Sequence, residues 1–83
     1  MEKKEFLKEC IVETIKAYEN KNEIGGLSIL QLQRYNSILQ KIPYNTIYHL
    51  CVLLKHDHKI IAIKYKNQQY FKLNKNYNLM GIL

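Results

Sequence analysis

The stretch IPYNTIYHLCVLLKHDHKIIAIKYKNQQYFKL, residues 42–73, decides how this chain reads, because its hydrophobic period changes partway along. Over residues 44–55, Ile47, Leu50, Cys51 and Leu54 recur at i, i+3, i+4 and i+7, which predicts a helix with one buried stripe. The other side of that helix carries Asn45, Tyr48, His49, Val52 and Lys55. After the polar turn His56-Asp57-His58 the period falls to two. Ile61, Ile63 and Tyr65 alternate with Ala62 and Lys64; a turn at 66–68 then leads into Gln69, Phe71 and Leu73 alternating with Tyr70 and Lys72. The pattern predicts a β-hairpin over 60–73 with Ile61, Ile63 and Tyr65 on an apolar inner face beside Phe71 and Leu73, and a basic, aromatic outer face.

Upstream, Leu7, Cys10, Ile11, Thr14, Ile15 and Tyr18 recur at three- and four-residue steps, predicting a first amphipathic helix over 3–19. Gly25-Gly26 punctuates the chain, Leu27 suits a strand of one or two residues, and Ser28 suits the N-cap of a second helix over 29–40. Ile29, Leu30, Leu32, Ile38 and Leu39 are the apolar residues of that helix, and Tyr35-Asn36-Ser37 is a weak point where it can break in two. Pro43 biases Ile42 away from the helical region, so a turn falls at 41–43. The tail, 74–83, is loop-like and then apolar, ending Leu79-Met80-Gly81-Ile82-Leu83.

Charge is distributed unevenly. Residues 1–23 carry six acids against five lysines, whereas residues 24–83 carry one acid, Asp57, against Arg34 and seven lysines. A body so poor in carboxylates sets up a positive field that attracts polyanions, of which nucleic acid is the commonest.

Eighty-three residues suit one domain, 1–83, with a single thin core. No apolar run approaches the roughly 20 residues that span a bilayer, and the charged N-terminus does not read as a secretion signal. An intracellular location is therefore expected: cytoplasm or nucleoid, or nucleus in a eukaryote. Cys10 and Cys51 read as free thiols in apolar helical settings. His56 and His58 supply two metal ligands where a site needs about four, so no metal is expected. Paired carboxylates and a glycine-rich phosphate loop are both missing from the basic part, so neither catalysis, nor a cofactor, nor a small-molecule substrate is expected.

The order helix, short strand, helix, turn, helix, hairpin, together with Leu27-Ser28-Ile29-Leu30-Gln31-Leu32, Ile42-Pro43-Tyr44-Asn45-Thr46-Ile47-Tyr48-His49-Leu50 and Lys59-Ile60-Ile61, resembles the winged helix-turn-helix superfamily. The match covers about residues 27–73, with two departures: a long span from Ser28 to Pro43, and His58 where a glycine is common. The resemblance implies an α+β fold of three helices with a two- or three-stranded antiparallel wing. It also implies a non-enzymatic DNA-binding protein, such as a small transcriptional regulator. The third helix would enter the major groove, turning Tyr44, Asn45, Thr46, Tyr48 and His49 toward bases and phosphates. Asn45 suits a bidentate pair with adenine, and Thr46 suits a phosphate oxygen. Arg34, Lys41, Lys55 and the wing residues Lys64, Lys66 and Lys72 would neutralise phosphates; about five such contacts give a log–log salt slope of roughly −4 to −5.

Alternatives stand beside this reading. Asn45 and Thr46 also suit helix capping, and Tyr48 and His49 also suit partly buried packing. Hairpin lysines also deter edge-to-edge aggregation. Tyr65, Tyr70, Phe71 and Tyr77, interleaved with lysines, suit single-stranded DNA, bases stacking on rings, as in an accessory protein of replication or recombination. A third class is a protein-docking module, or a homodimer formed through the first helix, with Phe6 and Val12, and the apolar tail.

Overall fold

Asn36 is where one expected helix becomes two. The structure, a computed structural model, describes residues 2–21 and 23–75. In chain order it comprises α1 (Lys3–Tyr18), a 3-10 turn (Glu19–Lys21), α2 (Ile29–Tyr35), α3 (Ser37–Gln40), α4 (Tyr44–His56), β1 (Ile60–Tyr65) and β2 (Gln68–Leu73). The fold class is α+β, with four α-helices rather than the expected three and one two-stranded antiparallel sheet. Leu27, expected as a strand of one or two residues, forms a single antiparallel bridge to Phe71.

The helix expected over 29–40 thus breaks at the weak point named for it. Asn36 is extended (φ −129°, ψ 115°), and its Oδ1 accepts from the amides of Ile38 at 2.9 Å and Leu39 at 3.1 Å. Its Nδ2 donates to Thr14 Oγ1 at 2.9 Å, and the Thr14 hydroxyl donates to the Cys10 carbonyl at 2.6 Å. One asparagine therefore caps α3 and bonds α1, which satisfies the polar groups that the break exposes. At the start of α2, Ser28 and Gln31 form a reciprocal capping box. Gln33 then donates to the Ile42 carbonyl at 2.9 Å, tying α2 to the turn before α4.

Each helix supplies its apolar stripe to one core. Leu7, Ile11 and Ile15 of α1 meet Ile29 and Leu32 of α2, Leu39 of α3, and Ile47, Leu50, Cys51 and Leu54 of α4. Leu30 and Ile38, grouped above with the apolar residues of the second helix, are instead exposed, at 59% and 41%. Below the helices, Leu27, Ile60 and Phe71 close the core.

The hairpin corrects the expected faces of β1. Its loop is two residues, Lys66-Asn67, both with positive φ (50° and 65°), as a tight turn matched to strand twist requires. Tyr65 therefore pairs with Gln68, Ile63 with Tyr70, Ala62 with Phe71 and Ile60 with Leu73. Paired residues share a face, so inward-facing Phe71 carries Ala62 and Ile60 to the core. Ile61, Ile63 and Tyr65 face away from the helices with Tyr70 and Lys72, and Lys64 takes the opposite face from Lys72. A turn of three residues would have given the expected faces; a slip of one residue exchanges them.

The end of α4 places His58 in a geometry that glycine usually supplies. His58 is left-handed (φ 63°); its amide donates to the Lys55 carbonyl, and the Lys59 amide to the Leu54 carbonyl, each at 3.0 Å. This is the paired closure of a helix C-terminus. Asn74 holds the turn from outside, its Nδ2 donating to the His58 carbonyl at 2.8 Å. Apart from Asn74 and Lys75, the tail 74–83, with its expected dimer contact, lies outside the described residues.

Two outcomes follow for stability. Ile60 is 1% exposed and Ile61 39%. In urea denaturation, Ile60→Ala should cost about 2–5 kcal/mol and Ile61→Ala less than about 1 kcal/mol; equal losses would contradict the register. Asn36→Ala should cost about 1–2 kcal/mol through loss of the α3 cap and the Thr14 bond, read as a fall in denaturation midpoint at constant slope.

Candidate nucleic-acid interface

The first turn of α4 presents three exposed residues, Tyr44, Asn45 and Thr46. Pro43 is its N-cap, and the Pro43 carbonyl accepts from the amides of Thr46 and Ile47 at 3.1 Å. Asn45 and Thr46 are therefore not the N-cap, and both are exposed. With Ile47, Leu50, Cys51 and Leu54 turned into the core, the helical period turns Asn45, Tyr48, His49, Val52 and Lys55 outward, and all five are exposed. None of these outward residues is acidic.

A hollow flanks this turn on each side. On one side, Asn45, Thr46 and His49 face the start of α1 across a groove of about 700 Å³ floored by Leu7, Ile42, Pro43 and Leu50. Lys3 and Lys4 form its far rim. On the other side, Tyr44 meets the start of α2 (Ser28, Ile29 and Leu30) and the hairpin turn (Asn67, Gln68 and Gln69) around a hollow of about 230 Å³. The hairpin turn and the beginnings of three helices thus cluster at one end of the molecule.

The cations expected at the site are spread more widely. Arg34, Lys41, Lys55, Lys64 and Lys66 are exposed, Lys72 is half-buried, and none of them lines these two hollows. Lys41 precedes the turn into α4, Lys66 adjoins the residues that line the second hollow, and Lys55 lies about 16 Å along α4 from Tyr44. Lys72 sits at the far end of the hairpin, its Cβ beside Gly26, and shares the outer face with half-buried Tyr70. The Lys66 ammonium lies 5.4 Å from the centre of the Tyr65 ring, within cation–π range.

The acids are sorted by the same packing. Glu5, Glu9 and Glu13 gather with Lys8 and Lys59 around a separate hollow on another side of α1. Glu5 pairs with Lys8 at 3.4 Å. Glu19 is buried and accepts from the Leu73 amide at 3.1 Å, joining α1's end to β2. Lys3 and Lys4, counted above only within the acidic segment 1–23, thus line a hollow away from its carboxylates. Their spacing from Leu7, three and four residues, already placed them on its face.

His49 and Cys51 take different sides of α4, one exposed and the other buried. Among the described residues no group of three or more His, Cys, Asp or Glu side chains is arranged to hold a metal ion. No helix among them is long and apolar enough to cross a membrane.

Both thiols are free. Burial pushes the Cys51 thiol up from 9.0 to about 12, while Cys10, half-buried, is raised first by burial and then by the neighbouring Glu9 charge. Because the folded value lies above the unfolded one, the contribution of Cys51 to stability is complete below pH 9.0 and declines as pH climbs toward about 12. At pH 8 a thiol-reactive dye should label native protein at Cys10 first, Cys51 reacting only on unfolding; peptide mapping after timed quenching reads the order.

No protein-family model, curated protein or solved structure matches this chain.

Proposed function

We propose that this chain is a non-enzymatic protein of winged helix-turn-helix type that binds duplex DNA, acting as a small regulator of transcription. The observation that carries the reading is the outward face of α4: Asn45, Tyr48, His49, Val52 and Lys55 are exposed together, without an acid, on a helix anchored through its opposite stripe. A helix held in this way enters a major groove as a rigid body, with its first turn leading. Asn45 and Tyr48 meet base edges, Thr46 and Lys41 meet the adjacent backbone, and the hairpin turn, with Lys66 and Lys64, follows the neighbouring phosphates.

A second reading has its own support. Tyr70 and Tyr65 share the outer face of the hairpin with Ile63 and Lys72. Rings and ammonium groups side by side suit stacked bases of a single strand.

Fluorescence anisotropy with duplex and single-stranded oligonucleotides at two salt concentrations separates the two. The duplex reading expects tighter duplex binding with a steep salt dependence. Asn45→Ala or Tyr48→Ala should weaken it about 5- to 150-fold, the worth of one good base contact. Preference for single strands, lost on Tyr70→Ala, moves the site to the hairpin. Absent or salt-insensitive binding overturns both and leaves the protein-docking role.

A further inference from the structure

Lys3 and Lys4 lie in the part of the sequence that is acidic overall, yet the fold separates them from its carboxylates. Helical spacing puts both lysines on the face of α1 that carries Leu7, and Glu2, Glu5 and Glu9 on another. That lysine face forms the far rim of the groove opposite Asn45, Thr46 and His49. Here two cations from one helix and three polar side chains from a second face each other over an apolar floor.

We propose that this groove holds a sugar-phosphate segment of the bound duplex, with Lys3 and Lys4 on its phosphates, just outside the stretch that α4 reads. The inference rests on the duplex-binding reading and extends its footprint onto α1. Charge selects an anion for the rim, where both lysines are exposed and free to reach outward. The floor selects among anions: Leu7, Ile42 and Pro43 offer nothing to the oxygens of a free phosphate, but they suit the hydrocarbon edge of a deoxyribose. Position supports the same source, since Asn45 and His49 belong both to the groove and to the outer face of α4's first turns, with exposed Thr46 at its edge. A backbone leaving α4 on this side passes between them and the two lysines.

The test compares the 83-residue wild type with a Lys3→Gln/Lys4→Gln variant and with a control, Lys16→Gln/Lys21→Gln. The control removes the same charge from exposed positions away from the groove. Duplex affinity is measured by anisotropy across a salt series. Loss of two phosphate contacts should flatten the log–log slope by about 1.8, with the control close to wild type and Lys3→Arg/Lys4→Arg restoring the slope. A groove variant whose slope matches wild type, or a control that flattens equally, overturns this proposal and leaves the α4 reading intact. Wild type that does not bind duplex overturns both. In a further arm, chloride is replaced by inorganic phosphate at constant ionic strength. Weaker duplex binding by wild type but not by the groove variant is expected, because phosphate and the duplex backbone compete for the same two lysines. Circular dichroism of each variant verifies its fold, and a loss of helix in the Gln variant passes the decision to a charge-reversed Lys4→Glu single variant, whose affinity should fall more than that of Lys16→Glu.

Discussion

Two backbone hydrogen bonds hold the arrangement together. The Leu27 amide donates to the Phe71 carbonyl at 2.8 Å, and the Phe71 amide donates to the Leu27 carbonyl at 2.7 Å. They join the loop after α1 to the last strand, closing most of the chain into one circuit around the core. The approach is close: a Cβ on Gly26 would stand 2.9 Å from the Phe71 carbonyl oxygen, so only glycine fits without displacement. Gly25, left-handed at φ 78°, turns the chain into that approach. With Leu27 fixed, Ser28 begins α2 beside the sheet and the hairpin turn comes to lie next to Tyr44. The setting of α4's first turn between two hollows follows from this closure.

Hydrogen bonding in the interior is economical and local to joints. Thr14 and Asn36 link α1 to the break between α2 and α3, Gln33 links α2 to Ile42, and Glu19 links α1's end to Leu73. Tyr18 and Tyr35 add a stacked pair, centroids 4.5 Å apart, between the ends of α1 and α2. Among the described residues no buried side-chain polar atom is left without a partner. The joints are specified by polar pairs and the interior by apolar stripes, so α4 has a fixed back and a free front. A free front without acids is the physical basis for expecting a polyanionic partner.

Much of this was legible beforehand because it depends on local period and local chemistry. The stripe of α4 and its exposed face follow from 3.6-residue spacing, and Ser28 was readable as a cap because it precedes an apolar run. The hairpin's place was legible as well, but its inner face was not. Ile60 and Ile61 are both isoleucine, so hydrophobicity alone leaves the phase undecided, and the length of the turn settles it. Reading Lys66-Asn67 as a two-residue loop, with Asn67 tolerant of positive φ, was the available clue.

The sequence by itself determined the element types, the stripe that anchors α4 and the shortage of acids after residue 24, since each is a property of neighbours along the chain. Tertiary structure alone decided which charges meet. Packing α1 alongside α4 brings Lys3 and Lys4 to Asn45 and His49, some 40 residues away, and turns Glu5, Glu9 and Glu13 elsewhere. Net charge by segment cannot contain that information, because the helical period sorts charges by face before packing sorts the faces by neighbour.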